Sequence, residues 1–367
     1  MTNLNDFCLV VPTIRNLENI KVIDENVKII VIDDSDGKVK PLKTHNMEVI
    51  RYKDQKDFFK RYIGFGYKEY FNIIPHKSPS CRTFGFLLAY EYGYEKIVAL
   101  DDDCVAGNDF FESHDVVGKK IRMQAVNSAS GWFNPIDIME LDKNEKVYSR
   151  GYPYYLRKRY TIKTIPVEGR VILNMGLWKG VLDINGIDRF FLQDKEPRGI
   201  SLKKRRCTLK NTVIPISTMN ISFIREIVPA FYQLPMNHRI TPFFNIDRFD
   251  DVWSGYIIQK IAKIKKDLIT FGVPLVEHRK CGNLKKEVSV EHMGILMQPF
   301  FYNIIDRAIN MISQKNETYY NLYSQLIERG RNLLDITTMP HCYKSYFIHM
   351  FNCMKKWLDV CEKIGVE

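Results

Sequence analysis

KIVALDDDC, residues 96–104, decides the fold, because an apolar run ends there abruptly in three consecutive carboxylates. An apolar run of this length, with β-branched residues near its start, predicts a buried strand. Three adjacent like charges at the end of a strand repel one another, so a cation should compensate them, and a hard divalent metal ion is the usual candidate. The alternative for this aspartate triplet (Asp101, Asp102 and Asp103) is a solvated acidic turn.

The same pattern occurs twice nearer the N-terminus. Residues 6–16 form an apolar run that ends in Pro-Thr and a basic residue, and residues 27–37 form a β-branched run that ends in two carboxylates. Residues 79–93 predict a helix with Ser80 as N-cap and a glycine at its end, directly before the strand at 96–100. This alternation predicts an open α/β sheet, whose ligands bind at the carboxyl ends of its strands. The side chains expected at those ends are Thr13, Arg15, Asp33, Asp34 and the aspartate triplet.

The composition is that of an ordinary globular protein with excess positive charge. The 367 residues are 45% hydrophobic, and a net charge of +11 with a pI near 9.1 suggests polyanionic partners. These partners are nucleic acid, an anionic membrane surface or phosphate-bearing small molecules. The sequence has no Walker A loop and no GxGxxG after the first strand, which argues against P-loop phosphoryl transfer and dinucleotide binding.

Several features predict a cytoplasmic protein. The eight cysteines are scattered without a CxxC pair or zinc spacing, which fits free thiols in a reducing compartment. The first apolar run is interrupted at once by Pro12 and Arg15, so it does not resemble a signal peptide. No apolar stretch reaches the length of a membrane span. We therefore predict a soluble protein without a transmembrane segment.

The second half of the chain holds weaker candidates. Residues 149–159 are basic and aromatic, with a solvated loop as the alternative, and residues 174–178 suggest a glycine-containing turn with an indole suited to a ligand's ring. Asp250 and Asp251 precede a helical apolar pattern, where the helix dipole alone would favour carboxylates. His278 is a candidate third metal ligand, although a lone histidine is usually structural.

The C-terminal part of the chain predicts a helical extension. Residues 298–367 show helical spacing with many aromatic side chains, after a catalytic domain at 1–297. The extension would pack on that domain or on a partner. Its Lys355-Lys356-Trp357 sequence suggests peripheral contact with a membrane, with a solvated helix face as the favoured alternative.

The carboxylates at the strand ends suit a nucleoside diphosphate ligand. Asp33 and Asp34 can accept hydrogen bonds from a base or ribose, while the aspartate triplet holds a Mg²⁺ or Mn²⁺ ion that bridges two phosphates. Such an ion acts as a Lewis acid on the departing diphosphate. Arginine suits bidentate phosphate contacts, and the cations that could share the phosphate charge are Arg82, Arg150, Arg157 and Lys280.

A set of motifs recurs in order over residues 8–301. These motifs are VPTIRNL (11–17), SCRTFG (80–85), LDDDC (100–104), RGYPYYLR (150–157), GLW (176–178), RFDDVWSG (248–255) and NLKKE (283–287). In these motifs the chain resembles the reversibly glycosylated polypeptide family, whose plant members are UDP-arabinopyranose mutases. The resemblance implies a fold of the GT-A glycosyltransferase type, a mixed and mostly parallel sheet flanked by helices.

The resemblance also implies roles for individual residues. The aspartate triplet would be the DxD-type site, with Asp101, Asp103 and His278 as metal ligands. Arg150 would match the residue implicated in reversible self-glycosylation, with Arg157 as the second arginine of that segment. The carboxylate pair Asp250 and Asp251 would lie near the sugar as general base or hydroxyl binder. The residues assigned to the nucleotide sugar are Thr13, Arg15, Asp33, Asp34, Arg82, Asp102, Trp178 and Lys280.

Three functions follow from these patterns. The first is a metal-dependent mutase without flavin, in which UDP departs, an enzyme group traps C1, and the sugar ring opens and recloses. Arg150 would either attack C1, with a carboxylate removing its proton, or clamp the diphosphate. The second is an inverting glycosyltransferase with an external acceptor. The third, a nucleic-acid-binding or scaffold protein, is disfavoured because a phosphate backbone would be repelled by the carboxylates. A homo-oligomer is expected.

The chain departs from the plant pattern at a few positions. Met175 stands where plant members have the histidine of HGLW, and Asn185 stands where they have the second aspartate of PDYDA. Asn283 follows His278 at a shorter interval than in the plant proteins. We expect these departures to leave nucleotide and metal binding unchanged. They bear instead on which sugar the protein binds.

Overall fold

The computed structural model describes residues 2–157, 161–202, 205–209, 211–279, 282–313 and 317–365. The strands are β1 (Phe7–Thr13), β2 (Lys28–Asp33), β3 (Met47–Arg51), β4 (Lys96–Leu100), β5 (Cys104–Val105), β6 (Lys120–Ser128), β7 (Met139–Leu141), β8 (Ile162–Val181), β9 (Arg198–Leu202), β10 (Arg206–Thr208), β11 (Asn220–Ile224), β12 (His238–Arg239), β13 (Asn245–Ile246) and β14 (Leu268–His278). The helices are α1 (Tyr52–Ile63), α2 (Tyr67–Phe71), α3 (Arg82–Glu91), α4 (Phe110–His114), α5 (Gly186–Leu192), α6 (Asp250–Lys265), α7 (Leu284–Asn310), α8 (Tyr319–Ile336) and α9 (His341–Lys363).

One large sheet forms the centre of the molecule. Its strand order is β3-β2-β1-β4-β11-β8-β6-β10-β14-β5. Strands β3, β2, β1 and β4 are mutually parallel, and β11 runs antiparallel between β4 and β8. Helices flank this mixed sheet, and further helices follow it at the C-terminus. The α/β fold class predicted from the sequence, which is that of GT-A enzymes, is confirmed.

The parallel strands are buried because helices cover the sheet. Every residue from 29 to 32 in β2 is fully buried, as the continuous β-branched run predicts. Helix α3 packs closely on β1, since a Cβ atom added to Gly85 would lie 2.4 Å from Cγ1 of Val10. These contacts fix the three strand ends relative to one another.

The carboxyl ends of β1, β2 and β4 meet at one edge of the sheet. Thr13 at the end of β1 pairs in register with Asp33 at the end of β2, and Asp33 pairs with Arg51 at the end of β3. Strand β4 ends at Leu100, directly before the aspartate triplet. The convergence predicted from the sequence is therefore present.

The start of α3 differs from the prediction. A 3-10 turn, Pro79–Cys81, comes first, and α3 begins at Arg82. Ser80 does not cap the helix, because it lies inside this turn and its Oγ is 2.9 Å from Oγ of Ser78. The glycine expected at the helix end is Gly93, which has a φ of +83°.

The GLW motif lies in a strand rather than in a turn. Residues 174–178 belong to β8, which is paired with β11 on one side and β14 on the other. Gly176 allows this close pairing, because a Cβ atom there would lie 2.2 Å from Nδ2 of Asn220 and 2.5 Å from the carbonyl oxygen of Pro274. Trp178 is fully buried in this strand.

The C-terminal helices pack on the sheet domain. Helix α7 begins at Leu284 and continues across position 298, where the sequence suggested that an extension starts. Trp357 in α9 is fully buried, and its Nε1 donates to the carbonyl oxygen of Pro229 at 3.0 Å. Trp357 is therefore not available for contact with a membrane surface. Of the helices within the described ranges, none combines the length and apolarity that a membrane crossing requires.

A buried histidine makes stability depend on pH. His114 is fully buried, with Nε2 3.0 Å from Oδ1 of Asn220 and Nδ1 3.1 Å from Nδ2 of Asn174. Burial lowers its pKa to about 3. The unfolded chain binds a proton near pH 6.5, so stability is present above that pH and is lost as the pH falls towards 3.

Replacing His114 with glutamine should remove this dependence. Between pH 6 and pH 4, we expect the free energy of unfolding of the wild type to fall by up to about 1.4 kcal/mol per pH unit more than that of His114→Gln. Urea unfolding of both proteins at several pH values measures the difference. Equal slopes would show that His114 does not stay neutral in the fold.

Candidate functional site

A cleft of about 690 Å³ opens at the carboxyl ends of the parallel strands. The loops after β1, β2 and β4, the start of α7 and the turn before α6 contribute to its lining. The ionisable side chains that line it are Arg15, Asp34, Asp36, Lys38, Lys77, Arg82, Asp101, Asp102, Asp103, Asp247, Arg248, Lys286 and Glu287. Interleaved cations and carboxylates of this kind suit a ligand that carries phosphates together with a metal ion.

The members of the aspartate triplet have different environments. Asp102 is held in place by two side chains. Thr13 Oγ1 donates to its Oδ2 at 2.6 Å, and Arg15 Nη1 lies 3.3 Å from its Oδ1. Asp101 Oδ1 accepts a hydrogen bond from Arg82 Nη1 at 2.8 Å. Burial raises the pKa of Asp102 to about 6 and also raises that of Asp103. Burial therefore disfavours the charged form of both carboxylates, which a bound cation would favour.

Asp103 and His278 face each other. His278 Nε2 lies 3.8 Å from Asp103 Oδ1, while Nδ1 lies 2.7 Å from the carbonyl oxygen of Val181. The carbonyl requires a proton on Nδ1, so Nε2 is the ring nitrogen that could bind a metal ion. Neighbouring ligands of an octahedral ion at about 2.1 Å lie about 3.0 Å apart, so the 3.8 Å separation would have to shorten for this pair to share a Mn²⁺ or Mg²⁺ ion.

The three metal ligands predicted from the sequence, Asp101, Asp103 and His278, are not arranged as a metal site in the structure. Across the described ranges, no group of three His, Cys, Asp or Glu side chains is arranged to hold a metal ion. Asp101 differs from the other two because its Oδ1 accepts a hydrogen bond from Arg82. Mg²⁺ and Mn²⁺ commonly take one or two protein carboxylates and complete their shell with water and substrate phosphate. The pair Asp103 and His278 is compatible with that mode.

The two aspartates after β2 are also unequal. Asp34 lines the cleft, accepts the backbone N–H of Ser78 at 3.0 Å and lies 3.1 Å from Nε2 of His76. Asp33 is 2% exposed and accepts hydrogen bonds from Ser35. Asp33 is not among the residues that line the cleft. Of the predicted base- or ribose-binding pair, the structure brings only Asp34 to the cleft.

Arg150 lies beneath the cleft in a buried ion-pair network. Nε and Nη2 donate to Asp183 at 2.9 and 3.1 Å, and Nη1 and Nη2 donate to Asp251 at 3.0 and 2.8 Å. Burial by itself would lower the pKa of Arg150, but the two aspartates outweigh burial and raise its pKa above the ordinary value. Burial would likewise raise the pKa of Asp183, yet Arg150 holds it well below its usual range.

The carboxylate pair at the start of α6 divides into two roles. Asp251 is saturated, because it accepts hydrogen bonds from Arg150 and from the backbone N–H groups of Thr218 and Val252. Asp250 is 2% exposed, and its Oδ2 has no hydrogen-bond partner among the described residues. Burial and then Asp251 raise the pKa of Asp250 to about 7. Asp250 can therefore exchange a proton near neutral pH.

Comparison with known proteins agrees with the resemblance seen in the motifs. The family model described as "Reversibly glycosylated polypeptide" matches residues 2–366. The chain belongs to this family. It is 25% identical to a protein of Arabidopsis thaliana named probable UDP-arabinopyranose mutase 4, over 98% of this chain and 92% of that protein. It is 23% identical to UDP-arabinopyranose mutase 1 of Oryza sativa subsp. japonica, over 97% of this chain and 90% of that protein. It is also 23% identical to UDP-arabinopyranose mutase 2 of Arabidopsis thaliana, over 97% of this chain and 91% of that protein.

Several residues that the family resemblance singled out lie away from the cleft. Arg157 forms a bidentate pair with Asp188 at 2.7 and 2.6 Å, and its guanidinium lies over the ring of Tyr154. Trp178 is fully buried in β8 and does not line the cleft. Neither side chain is placed for contact with a ligand in the cleft. Lys280 lies outside the described residues.

The structure also adds residues that sequence reasoning missed. Asp247 and Arg248 line the cleft. They lie just before and at the start of the family motif RFDDVWSG, in which only the two aspartates were predicted as site residues. Lys286 lies in the first turn of α7, whose N-cap Asn283 accepts the backbone N–H of Lys286. An Asn before an apolar helical pattern is a signal that could have located this helix start. No sequence signal identifies the left-handed φ of +63° at Arg248.

Proposed function

We propose that this protein is a nucleotide-sugar mutase that interconverts the pyranose and furanose forms of a UDP-sugar such as UDP-arabinose. The observation that carries the proposal is the cleft at the strand ends, where the aspartate triplet, several cations and the start of α7 line one space. A helix N-terminus with Lys286 favours phosphate oxygens. The names of the relatives support a mutase, and similarity to them covers almost the whole chain.

Divalent-metal dependence is part of the proposal. Asp103 and His278 would hold a Mn²⁺ or Mg²⁺ ion, which supplies Lewis-acid assistance to departure of the diphosphate. Asp101 would orient Arg82 through their hydrogen bond, and the other guanidinium nitrogens of Arg82 could then contact phosphate. Asp102 would hold Thr13 and Arg15 in place at the end of β1.

The remaining groups would bind and reshape the sugar nucleotide. Asp34 would accept hydrogen bonds from the base or ribose, with Thr13 and Arg15 beside the nucleoside. As the pyranose ring opens, O5 of the sugar gains a proton, and as the furanose ring closes, O4 loses one. Asp250 would carry this proton through a bridging water, because its side chain is not part of the cleft lining, and its pKa near 7 allows it to act as both acid and base. No flavin is needed for such a sequence.

Self-glycosylation, which the resemblance attached to Arg150, would require this side chain to leave two buried carboxylates. That burial favours a second candidate function, an inverting glycosyltransferase with an external acceptor, which needs no covalent sugar on the enzyme. The two functions differ in an acceptor-free reaction, where a transferase gives only slow hydrolysis of the UDP-sugar. Cytoplasmic location and homo-oligomerisation stay predictions.

Thermal stability in the presence of nucleotide sugars tests the binding part of the proposal. We expect UDP-pentoses with Mn²⁺ to raise the melting temperature, because a ligand that binds only the folded state stabilises it according to its affinity. Single-stranded DNA at the same charge concentration serves as the polyanion control. Stabilisation by DNA and not by any UDP-sugar would contradict the proposal.

A further inference from the structure

The lining of the cleft can be followed along the order of the strands. Thr13 and Asp34 lie at the ends of β1 and β2, and the aspartate triplet follows β4, the next strand of the sheet. In the proposed function the first two residues contact the nucleoside and the triplet lies at the diphosphate. The sugar is joined to the far end of the diphosphate, so we expect it beyond β4, on the side away from β1.

The start of α6 lies on that side. Strand β11 pairs with β4 on the side opposite β1, and its first residue, Asn220, pairs with Leu100 at the end of β4. Just before β11, the backbone N–H of Thr218 donates to Oδ2 of Asp251 in the first turn of α6 at 3.1 Å. The turn that precedes α6 therefore lies at the end of the cleft where the sugar is expected.

Asp247 belongs to this turn and lines the cleft. Its backbone N–H donates to the carbonyl oxygen of Val290 in α7 at 3.2 Å, and its Oδ1 accepts the backbone N–H of Arg248 at 2.9 Å. Among the described residues, no donor contacts its Oδ2. Burial raises the pKa of Asp247, so a hydrogen-bond donor from a ligand would favour its charged form.

The two aspartates of α6 are less suited to direct contact with the sugar. Of the three described carboxylates Asp247, Asp250 and Asp251, only that of Asp247 is part of the cleft lining. Asp250 is 2% exposed, and Asp251 already accepts several hydrogen bonds within the protein. A carboxylate oxygen accepts hydroxyl protons. Asp247 combines such an oxygen with a backbone that α7 holds in place.

We propose that Asp247 is a sugar-binding residue, whose Oδ2 accepts hydrogen bonds from hydroxyl groups of the sugar in a UDP-sugar. This inference rests on the proposed function and adds a residue that decides how tightly the sugar is held. UDP alone ends at the diphosphate and has no group at this position. Changing Asp247 should therefore affect the binding of a UDP-sugar and leave the binding of UDP nearly unchanged.

Two variants of Asp247 test the contact by titration calorimetry with UDP and with UDP-arabinopyranose, each in the presence of Mn²⁺. Asp247→Asn keeps an oxygen for the backbone N–H of Arg248 and places an amide N–H₂ group where Oδ2 was. A sugar hydroxyl could then regain only a neutral hydrogen bond, which is weaker than one to a carboxylate. We expect the affinity for UDP-arabinopyranose to fall about 10-fold in Asp247→Asn and about 100-fold in Asp247→Ala.

Asp36→Asn is the matched control for the loss of one negative charge from the cleft. Asp36 lines the cleft in the loop after β2, at the nucleoside end, and its Oδ2 lies 2.9 Å from Nζ of Lys77. A general change in charge acts on both ligands, so this variant should change the affinities for UDP and UDP-arabinopyranose by the same factor. Retained UDP binding in Asp247→Asn also shows that the variant is folded.

The outcomes separate this inference from the proposed function. Equal changes in affinity for UDP and UDP-arabinopyranose in Asp247→Asn, or no change for either ligand, would overturn the role of Asp247. If the wild type binds UDP-arabinopyranose but forms no furanose isomer, the mutase proposal fails, and the affinities still decide the role of Asp247. A wild type that binds UDP and no UDP-sugar would contradict both.

Discussion

Replacing Asp103 with alanine should weaken Mn²⁺-dependent binding of UDP by at least about 100-fold, because changing a residue that only hydrogen-bonds to a metal ligand already costs up to that factor. Asp103 is the member of the triplet that faces His278, at 3.8 Å from Nε2, and it lines the cleft. Titration calorimetry of UDP with and without Mn²⁺ measures the loss.

A matched control separates this effect from a general loss of negative charge. Asp335→Ala removes a carboxylate whose side chain is 83% exposed on α8, and it should bind UDP as the wild type does. An Asp103→Ala protein with wild-type Mn²⁺-dependent UDP affinity would remove the metal role assigned to the triplet.

Replacing Asp250 with asparagine should lower turnover by about 10² to 10⁴-fold, the usual contribution of a general acid or base. UDP affinity should change little, because the side chain of Asp250 is not part of the cleft lining that would hold the nucleotide. In the wild type, kcat should fall between pH 6 and pH 8 as Asp250, with its pKa of about 7, loses the proton that it supplies when the ring opens. The pH–rate profiles of wild type and variant measure this, and the variant should lack the fall.

The stability of Asp250→Asn distinguishes a chemical role from a structural one. The folded-state pKa of Asp250 is raised from its ordinary value of 3.8 to about 7, so its contribution to stability is lost as the pH rises between these values. At pH 8 the neutral asparagine should therefore leave the protein at least as stable as the wild type. A folded variant that retains wild-type kcat would rule out the acid–base role.

The strand ends were predictable because local pattern and topology agree there. Apolar runs that stop at Thr13, Asp34 and the triplet identify strands, and parallel strands bring their carboxyl ends to one edge. The unequal roles inside each acidic cluster were not predictable. Asp33 and Asp34 are adjacent in sequence and differ because successive side chains at a strand end point in different directions.

The ion-pair network of Arg150 could not be predicted from the sequence, for a different reason. Its partners Asp183, Asp251 and Arg248 lie 33 to 101 residues away along the chain, and no local pattern reports such pairings. The prediction of a turn at Trp178 was wrong, because a glycine followed by an indole suggested a turn where the structure has a strand. The neighbouring strands make that glycine a site of close backbone approach instead.

Isomerisation of a UDP-sugar at this cleft can be observed in a reaction that contains no acceptor. Purified protein is incubated with UDP-arabinopyranose and Mn²⁺, and the products are separated by HPLC beside a reaction with Asp103→Ala. We predict that the wild type forms UDP-arabinofuranose, that the same mixture is reached from either isomer, and that little free UDP appears. Release of UDP and free arabinose without any furanose isomer would contradict the mutase and indicate a transferase.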